Sequence, residues 1–129
     1  MNVMTVVGAL IGLAAWSRAP EPTDVTMVEL IANADKFDGQ LIRVIGFLRL
    51  AFEGNVLYLH RDYYERSLIG NGIWVDVTPE MTQQGATLNK EYVLLEGIFS
   101  SKDHGHMEMW KGTIREIRRA EVWFTGNVR

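Results

Sequence analysis

The chain has 129 residues, 47% of them hydrophobic, which suffices for the core of one ordinary domain and is too much for a disordered tail. Its formal net charge of −3 argues against a dedicated nucleic-acid binder, whose affinity would rest on neutralising phosphates. The absence of cysteine excludes disulfides, thiolate nucleophiles, Cys-containing zinc sites and a lipid-modified N-terminal cysteine.

From Val3 to Ala15 the sequence carries no charge. Such a run is shorter than the roughly 20 apolar residues of a spanning helix and suits the apolar centre of a secretory signal. Small residues follow at Ala14, Ala15 and Ala19, although no Lys or Arg precedes the run. Residues 1–19 are therefore expected to be a signal peptide or membrane anchor. The rest of the chain is then exported, or tethered through residues 1–16, at a bacterial periplasm or cell surface. Residues 20–25 read as a linker, since Pro20 and Pro22 favour extended chain. A folded domain is expected over 26–124, with a loose tail at 125–129.

The N-terminal helix is expected to begin at Thr26. Thr26 and Glu29 form a T-x-x-E capping box, and Met27, Leu30, Ile31 and Ala34 make an apolar stripe at helical spacing. Asp38-Gly39 is a turn signal leading into the first strand. The strongest pattern lies between Phe37 and Leu59. There Ile42, Val44, Leu48 and Leu50 share one parity, while Arg43, Ile45, Phe47 and Arg49 share the other. Successive strand side chains point to opposite faces, so the even positions are expected in the core. A second run, Val56 to His60, turns Leu57 and Leu59 inward. The polar break at Glu53, Gly54 and Asn55 reads as a hairpin, with Gly54 supplying the positive φ.

Asp62 and Glu65 suggest a second capping box, opening a helix from Tyr63 to Ile69 that stops at Gly70. Ile73, Val75 and Val77 alternate as a short strand. Thr78-Pro79-Glu80 opens another helix with proline at its first position, stopped by Gly85. Lys90 to Phe99 is the next strand, with Val93, Leu95 and Phe99 inward and Tyr92, Leu94 and Glu96 outward. Ser100 to Gly112 reads as a long, solvated polar loop. Thr113 to Phe124 is the last strand, and the opposite parity of Ile114 and Ile117 predicts a bulge or bend between them.

Short alternating strands of this kind predict a mainly β fold with short helices. The expected form is a small five-stranded antiparallel OB-like barrel with an N-terminal helix, since closure removes exposed strand edges. Asp38, Gly39, Ile42, Val44 and Gly46 fit the pattern D-G-x-x-[IV]-x-[VI]-x-G. On these residues the chain resembles the OB-fold, in particular the small bacterial OB-like domains grouped as tRNA-anti-like that follow a signal or anchor. The resemblance covers Thr26 to Phe124. It implies a ligand face on the outside of the first three strands and on the flanking loops. The chain departs from the usual layout in one respect. An OB-fold has its helix between the third and fourth strands, whereas the stronger helix signal here, Tyr63 to Ile69, falls between the second and third.

The outward face of the first three strands would carry Arg43, Phe47, Arg49, Tyr58, His60 and Trp74. Arginine with aromatics suits base stacking and phosphate contact, or capture of a protein partner. The same residues also suit a purely structural seat for the N-terminal helix, with arginine stems packed on rings. Asp103, His104, His106 and Glu108 are of metal-ligand type, and two histidines two apart on an extended segment can point the same way, with His60 as a third ligand. A solvated loop is the competing expectation, and no cofactor is implied. Catalysis finds no G-x-S-x-G elbow, phosphate loop or cysteine. Asp76 and Glu96 read as outward strand carboxylates, Tyr63-Tyr64 as helix packing, and Arg115, Arg118 and Arg119 as solvated strand charge interrupted by Glu116 and Glu121. The expected function is a noncatalytic exported binding module for a protein or envelope component. The alternatives are a single-stranded nucleic-acid-binding domain and a metal-binding protein built on the 103–108 loop.

Overall fold

The computed structural model describes residues 19–123; the expected leader, Ala19 apart, and the expected tail lie outside them. Among the described residues no helix is long and apolar enough to cross a membrane. Six strands are present, β1 (Thr23–Asp24), β2 (Leu41–Arg49), β3 (Val56–Tyr58), β4 (Gly72–Val75), β5 (Glu91–Ser100) and β6 (Thr113–Val122). Among the described residues four short α-helices accompany them, α1 (Met27–Ala32), α2 (Arg61–Glu65), α3 (Pro79–Gln83) and α4 (Gly85–Leu88). Strands β2 to β6 pair in the order β2-β3-β4-β6-β5, and β2 also pairs with β5, so the sheet closes into a five-stranded barrel.

The alternation predicted for β2 sets the barrel interior. Ile42, Val44 and Leu48 are buried with Leu57, Ile73, Val75, Val93, Leu95, Phe99 and Ile114 in one core. Gly46 lets β3 come close: a Cβ there would lie 2.7 Å from Leu57 Cγ and 2.8 Å from the Tyr58 carbonyl oxygen. The expected break in β6 is also present. Across from β5 the register shifts between Glu96 and Ile98, and Glu116 takes φ +50°, so both Ile114 and Ile117 reach the core.

The sheet is mixed, which corrects the expectation of a purely antiparallel barrel. β4 runs parallel to β6, and β1 runs parallel to β2. Parallel neighbours need a long crossover, and both have one: α3, α4 and β5 separate β4 from β6, while α1 separates β1 from β2. The expected linker is therefore docked. Thr23 and Asp24 pair with Ile42 and Arg43, and Val25 is buried. Helices lie both between β3 and β4 and between β4 and β5; α3 and α4 take the customary OB position, and α2 is the addition.

Local signals were met where a side chain could cap a backbone amide. Thr26 Oγ1 accepts the Glu29 N–H at 3.1 Å, and Thr78 Oγ1 accepts the Met81 N–H at 3.2 Å ahead of Pro79. Helix α1 then buries Met27 and Leu30 against the barrel core. Helix α2 starts earlier than expected. His60 is its cap, with Nδ1 accepting the Asp62 N–H at 3.2 Å, and the chain leaves the helix at Ser67, φ +55°, short of Gly70. Helix α3 ends before Gly85, and α4 adds a turn that buries Leu88. In the β2–β3 connection the positive φ falls on Glu53, at +53°, instead of on Gly54. The Gly54 N–H closes that turn on the Ala51 carbonyl, which makes Glu53 its third residue, the position where φ turns positive in a type II turn.

The two faces of β2 separate in a mutational test. Val44 is 1% exposed and Ile45, its neighbour on the outer face, 37%. Val44→Asp is expected to abolish cooperative unfolding, because an unpaired carboxylate cannot be accommodated in the core, whereas Ile45→Asp retains a folded barrel. Circular dichroism and urea denaturation of both variants check this.

Candidate functional site

The six residues expected to form a ligand face do share the outer side of the barrel, but other parts of the chain cover most of it. Phe47 and Tyr58 are only 1% and 7% exposed. With Val56 and Trp110 they form a second apolar cluster, against which Tyr63, Tyr64, Ile69, Trp74 and Tyr92 pack. Helix α2 supplies the two tyrosines, and the β5–β6 loop supplies Trp110. The rings follow one another across the face: Tyr92 meets Phe47 at 5.4 Å, Phe47 meets Tyr64 at 5.9 Å, and Tyr64 meets Tyr58 at 5.7 Å. Tyr58 meets Trp110 edge-on at 5.9 Å, Trp110 meets Trp74 at 6.4 Å, and Trp74 stacks on His106 at 6.0 Å. Burial also pushes the Tyr58 phenol above its ordinary range. The N-terminal helix does not sit on these rings; it closes the main core instead.

The polar members of the face are engaged too. Arg49 donates Nε to the Tyr64 hydroxyl at 3.1 Å and Nη1 to the Leu50 carbonyl and Asn89 Oδ1 at 2.8 and 3.0 Å. His60 caps α2 and meets the Tyr92 ring edge-on. Arg43 donates Nε to Glu96 Oε1 at 2.8 Å and Nη1 to Asp24 at 3.3 Å.

Glu96 is the charged group that sequence reasoning left on the surface. It is 4% exposed and receives hydrogen bonds from Arg43, from Arg118 Nε at 3.1 Å and from Arg119 Nη1 at 3.1 Å. Burial alone would raise its carboxyl, but the three guanidinium bonds outweigh that and hold it below the usual carboxylate range. Arg118 and Arg119 are thus members of an ion network and not free strand charge. Arg118 Nη2 also holds the Pro20 carbonyl, tying the N-terminal segment to β6. Asp76 is exposed past the end of β4 and is not paired with Glu96.

The 101–112 loop is largely exposed, as expected of a solvated loop, and is ordered by its own bonds. Asp103 Oδ1 accepts the Gly105 N–H at 3.0 Å, and the Thr113 hydroxyl donates to the Asp103 carbonyl at 2.9 Å. His104 Nδ1 lies 2.8 Å from the Trp110 carbonyl oxygen, so it carries the proton in that bond. Gly105, at φ +66°, lies flat on the Trp74 side chain; a Cβ there would come within 2.4 Å of Trp74 Cγ. His104 and His106 consequently part company. His106 Nε2 lies 3.6 Å from Glu53 on the β2–β3 turn, while His104 faces the other way, toward Lys36 and Lys111. Among the described residues no group of three or more His, Asp or Glu is placed to hold a metal ion.

What remains open is the rim where the covering elements end. Phe52 is 94% exposed, Met107 75% and Met109 44%. The Glu53–His106 pair joins the β2–β3 turn, which carries exposed Phe52, to the loop that carries exposed Met107, and His106 stacks on half-buried Trp74. The sequence signal for this rim was an aromatic residue inside a polar turn and a Met-x-Met within a polar loop. Parity reasoning does not detect either. No protein-family model matches this chain, and no curated protein does.

The Glu96 network has a defined pH signature. Its folded carboxyl titrates below the unfolded one, so its stabilisation is complete above the unfolded value and is lost as pH falls through the folded value. Glu96→Gln is expected to cost about 1.5–3 kcal/mol at pH 7, the range for hydrogen bonds to charged groups. Urea denaturation should show the gap between wild type and variant narrowing as pH falls below the usual carboxylate range.

Proposed function

We propose that this chain is a noncatalytic OB-like binding module, exported or tethered through its first residues, that engages a protein partner of the envelope through the rim around Trp74. The tRNA-anti-like resemblance and the signal or anchor belong to the same proposal. The observation that carries it is the exposure of Phe52 and Met107 on two loops that the Glu53–His106 pair joins. Aromatic and methionine side chains are enriched at the cores of protein interfaces, where a flexible thioether adapts to a partner's shape. Here they sit on two loops whose backbones are fixed, so little ordering entropy opposes contact. Of the six residues expected on the ligand face, Trp74 is the one that joins this rim. Phe47 and Tyr58 support it from below.

The electrostatics favour a protein over a single nucleic-acid strand. Arg43, Arg118 and Arg119 are drawn to Glu96, and Arg49 is held by Tyr64 and Asn89, while the rim itself carries Glu53 and Glu108. A phosphate backbone would meet few uncommitted cations there.

A photo-crosslinking amino acid in place of Phe52 tests the proposal in cells that make the full chain natively. It should give one discrete protein adduct that Met107→Asp abolishes. The same reagent at Val28, an exposed apolar position on α1, should give none. No adduct from position 52, or the same products from both positions, would refute the assignment.

A further inference from the structure

Met27, Met81, Met107 and Met109 are the methionines within the described residues, and they divide into two kinds. Met27 and Met81 are each 2% exposed and belong to the main core, whereas Met107 is 75% and Met109 44% exposed. Both exposed ones stand in the 101–112 loop, on either side of Glu108. The chain has no cysteine, so among the described residues these two thioethers are the sulfur atoms that an oxidant in solution meets first.

The backbone that carries them is held without their side chains. The Glu108 N–H donates to the Gly105 carbonyl at 3.1 Å, the Met109 N–H to the His106 carbonyl at 3.4 Å and the Trp110 N–H to the His104 carbonyl at 3.0 Å. On either side, His106 stacks on Trp74 and Trp110 is buried in the aromatic cluster. A change at the ends of two exposed side chains therefore leaves the loop in place.

From this division we propose that Met107 and Met109 are a reversible oxidation site, which switches the rim from apolar to polar while the fold stays intact. The switch rests on the reading of the rim as a protein-binding surface. The oxidant is hydrogen peroxide. The thioether sulfur attacks one peroxide oxygen, an S–O bond forms and the O–O bond breaks. Sulfur gives up two electrons, and the hydroxyl proton passes to the departing hydroxide, which leaves as water. Sulfoxide reductases reverse the change with electrons from a thiol, releasing the oxygen as water. In the unbound protein the new sulfoxide oxygen stays hydrated at these open positions. A docked partner would strip that water, which opposes binding. At Met27 or Met81 the same oxygen would enter the core, and burial withholds both from the oxidant. Oxidation consequently acts on contact and not on stability.

The test begins with the purified full chain in graded hydrogen peroxide, its methionines followed by peptide mass spectrometry. Met107 should gain one oxygen first and Met109 next, with Met27 and Met81 still reduced and the urea midpoint unmoved. In cells, peroxide should abolish the adduct formed from position 52. It should spare that adduct in Met107→Leu/Met109→Leu, whose side chains are apolar and take up no oxygen. Met107→Gln/Met109→Gln should lose the adduct without any peroxide. Oxidation of all four methionines at one rate, a lowered midpoint, or equal loss of the adduct in the leucine variant would overturn the proposal. An adduct that persists in chains shown by mass to be oxidised defeats the switch alone. Absence of an adduct before treatment refutes the rim as a binding surface, and the switch falls with it.

Discussion

β2 buries its inner face at Ile42, Val44 and Leu48 and its outer face at Phe47, and the remainder of the molecule follows from that constraint. Its even positions line the barrel with Ile42, Val44 and Leu48, and its odd side carries Phe47 into a second, aromatic cluster. A strand that buries residues on both faces needs cover on both. The barrel supplies the first by closing on itself. The second requires material outside the barrel, and the chain provides it by inserting α2 between β3 and β4 and by extending the connection between β5 and β6. Neither segment has a core of its own. Each is held by the rings it covers, with Tyr64 against Phe47 and Tyr58, and Trp110 edge-on to Tyr58. Burying a large apolar side chain contributes about 1.5–3 kcal/mol, so these few rings are sufficient to fix both segments.

This arrangement changes where an OB-like barrel can meet a partner. The outer surface of the first strands, often left for a ligand in such barrels, is here occupied by the protein's own aromatics. In the proposed reading, contact moves to the edge of the cover. The backbone at that edge has an uncommon geometry: Glu53, Met107 and Glu108 all adopt positive φ. Each such non-glycine residue costs on the order of 1 kcal/mol or more and persists only when its surroundings over-determine it. Here the Ala51 carbonyl and Asn55 Oδ1 hold the first turn, and the Gly105 and His106 carbonyls hold the second. Backbone conformations that a glycine would relieve are instead occupied by side chains placed at the rim.

The barrel was legible in the sequence because period two is a local property. The parity of Ile42 to Leu48, the caps at Thr26 and Thr78, and the parity break between Ile114 and Ile117 each depend on a few neighbouring residues. What an outward side chain meets is not local. Phe47 was correctly placed outside the barrel, but its burial depends on Tyr64, 17 residues later in the numbering, and Tyr92, much later still. Glu96 shows the same limit. Its position in β5 says that it points outward; only the closure of β2 and β6 on either side brings Arg43, Arg118 and Arg119 to it. The parallel β1 was also hidden, since two residues of strand carry no period and the prolines before them argue for a free linker.

The two histidines of the long loop show how one residue can redirect a site. In an extended segment His104 and His106 would lie on the same side and make a plausible start for a metal centre. Gly105 between them has φ +66° and ψ −156°, a combination open essentially to glycine alone. That conformation breaks the alternation of side chains between the histidines. One ring is held by the Trp110 carbonyl and faces Ser101 and the lysines; the other stacks on Trp74 and reaches Glu53. Any side chain at position 105 would also collide with Trp74, so the break in alternation and the packing of the loop on the aromatic cover depend on the same absent atom. A motif that spacing alone assigns to a single ligand set is thereby divided between two surfaces, and the loop that joins them is rigid because it is part of the second core.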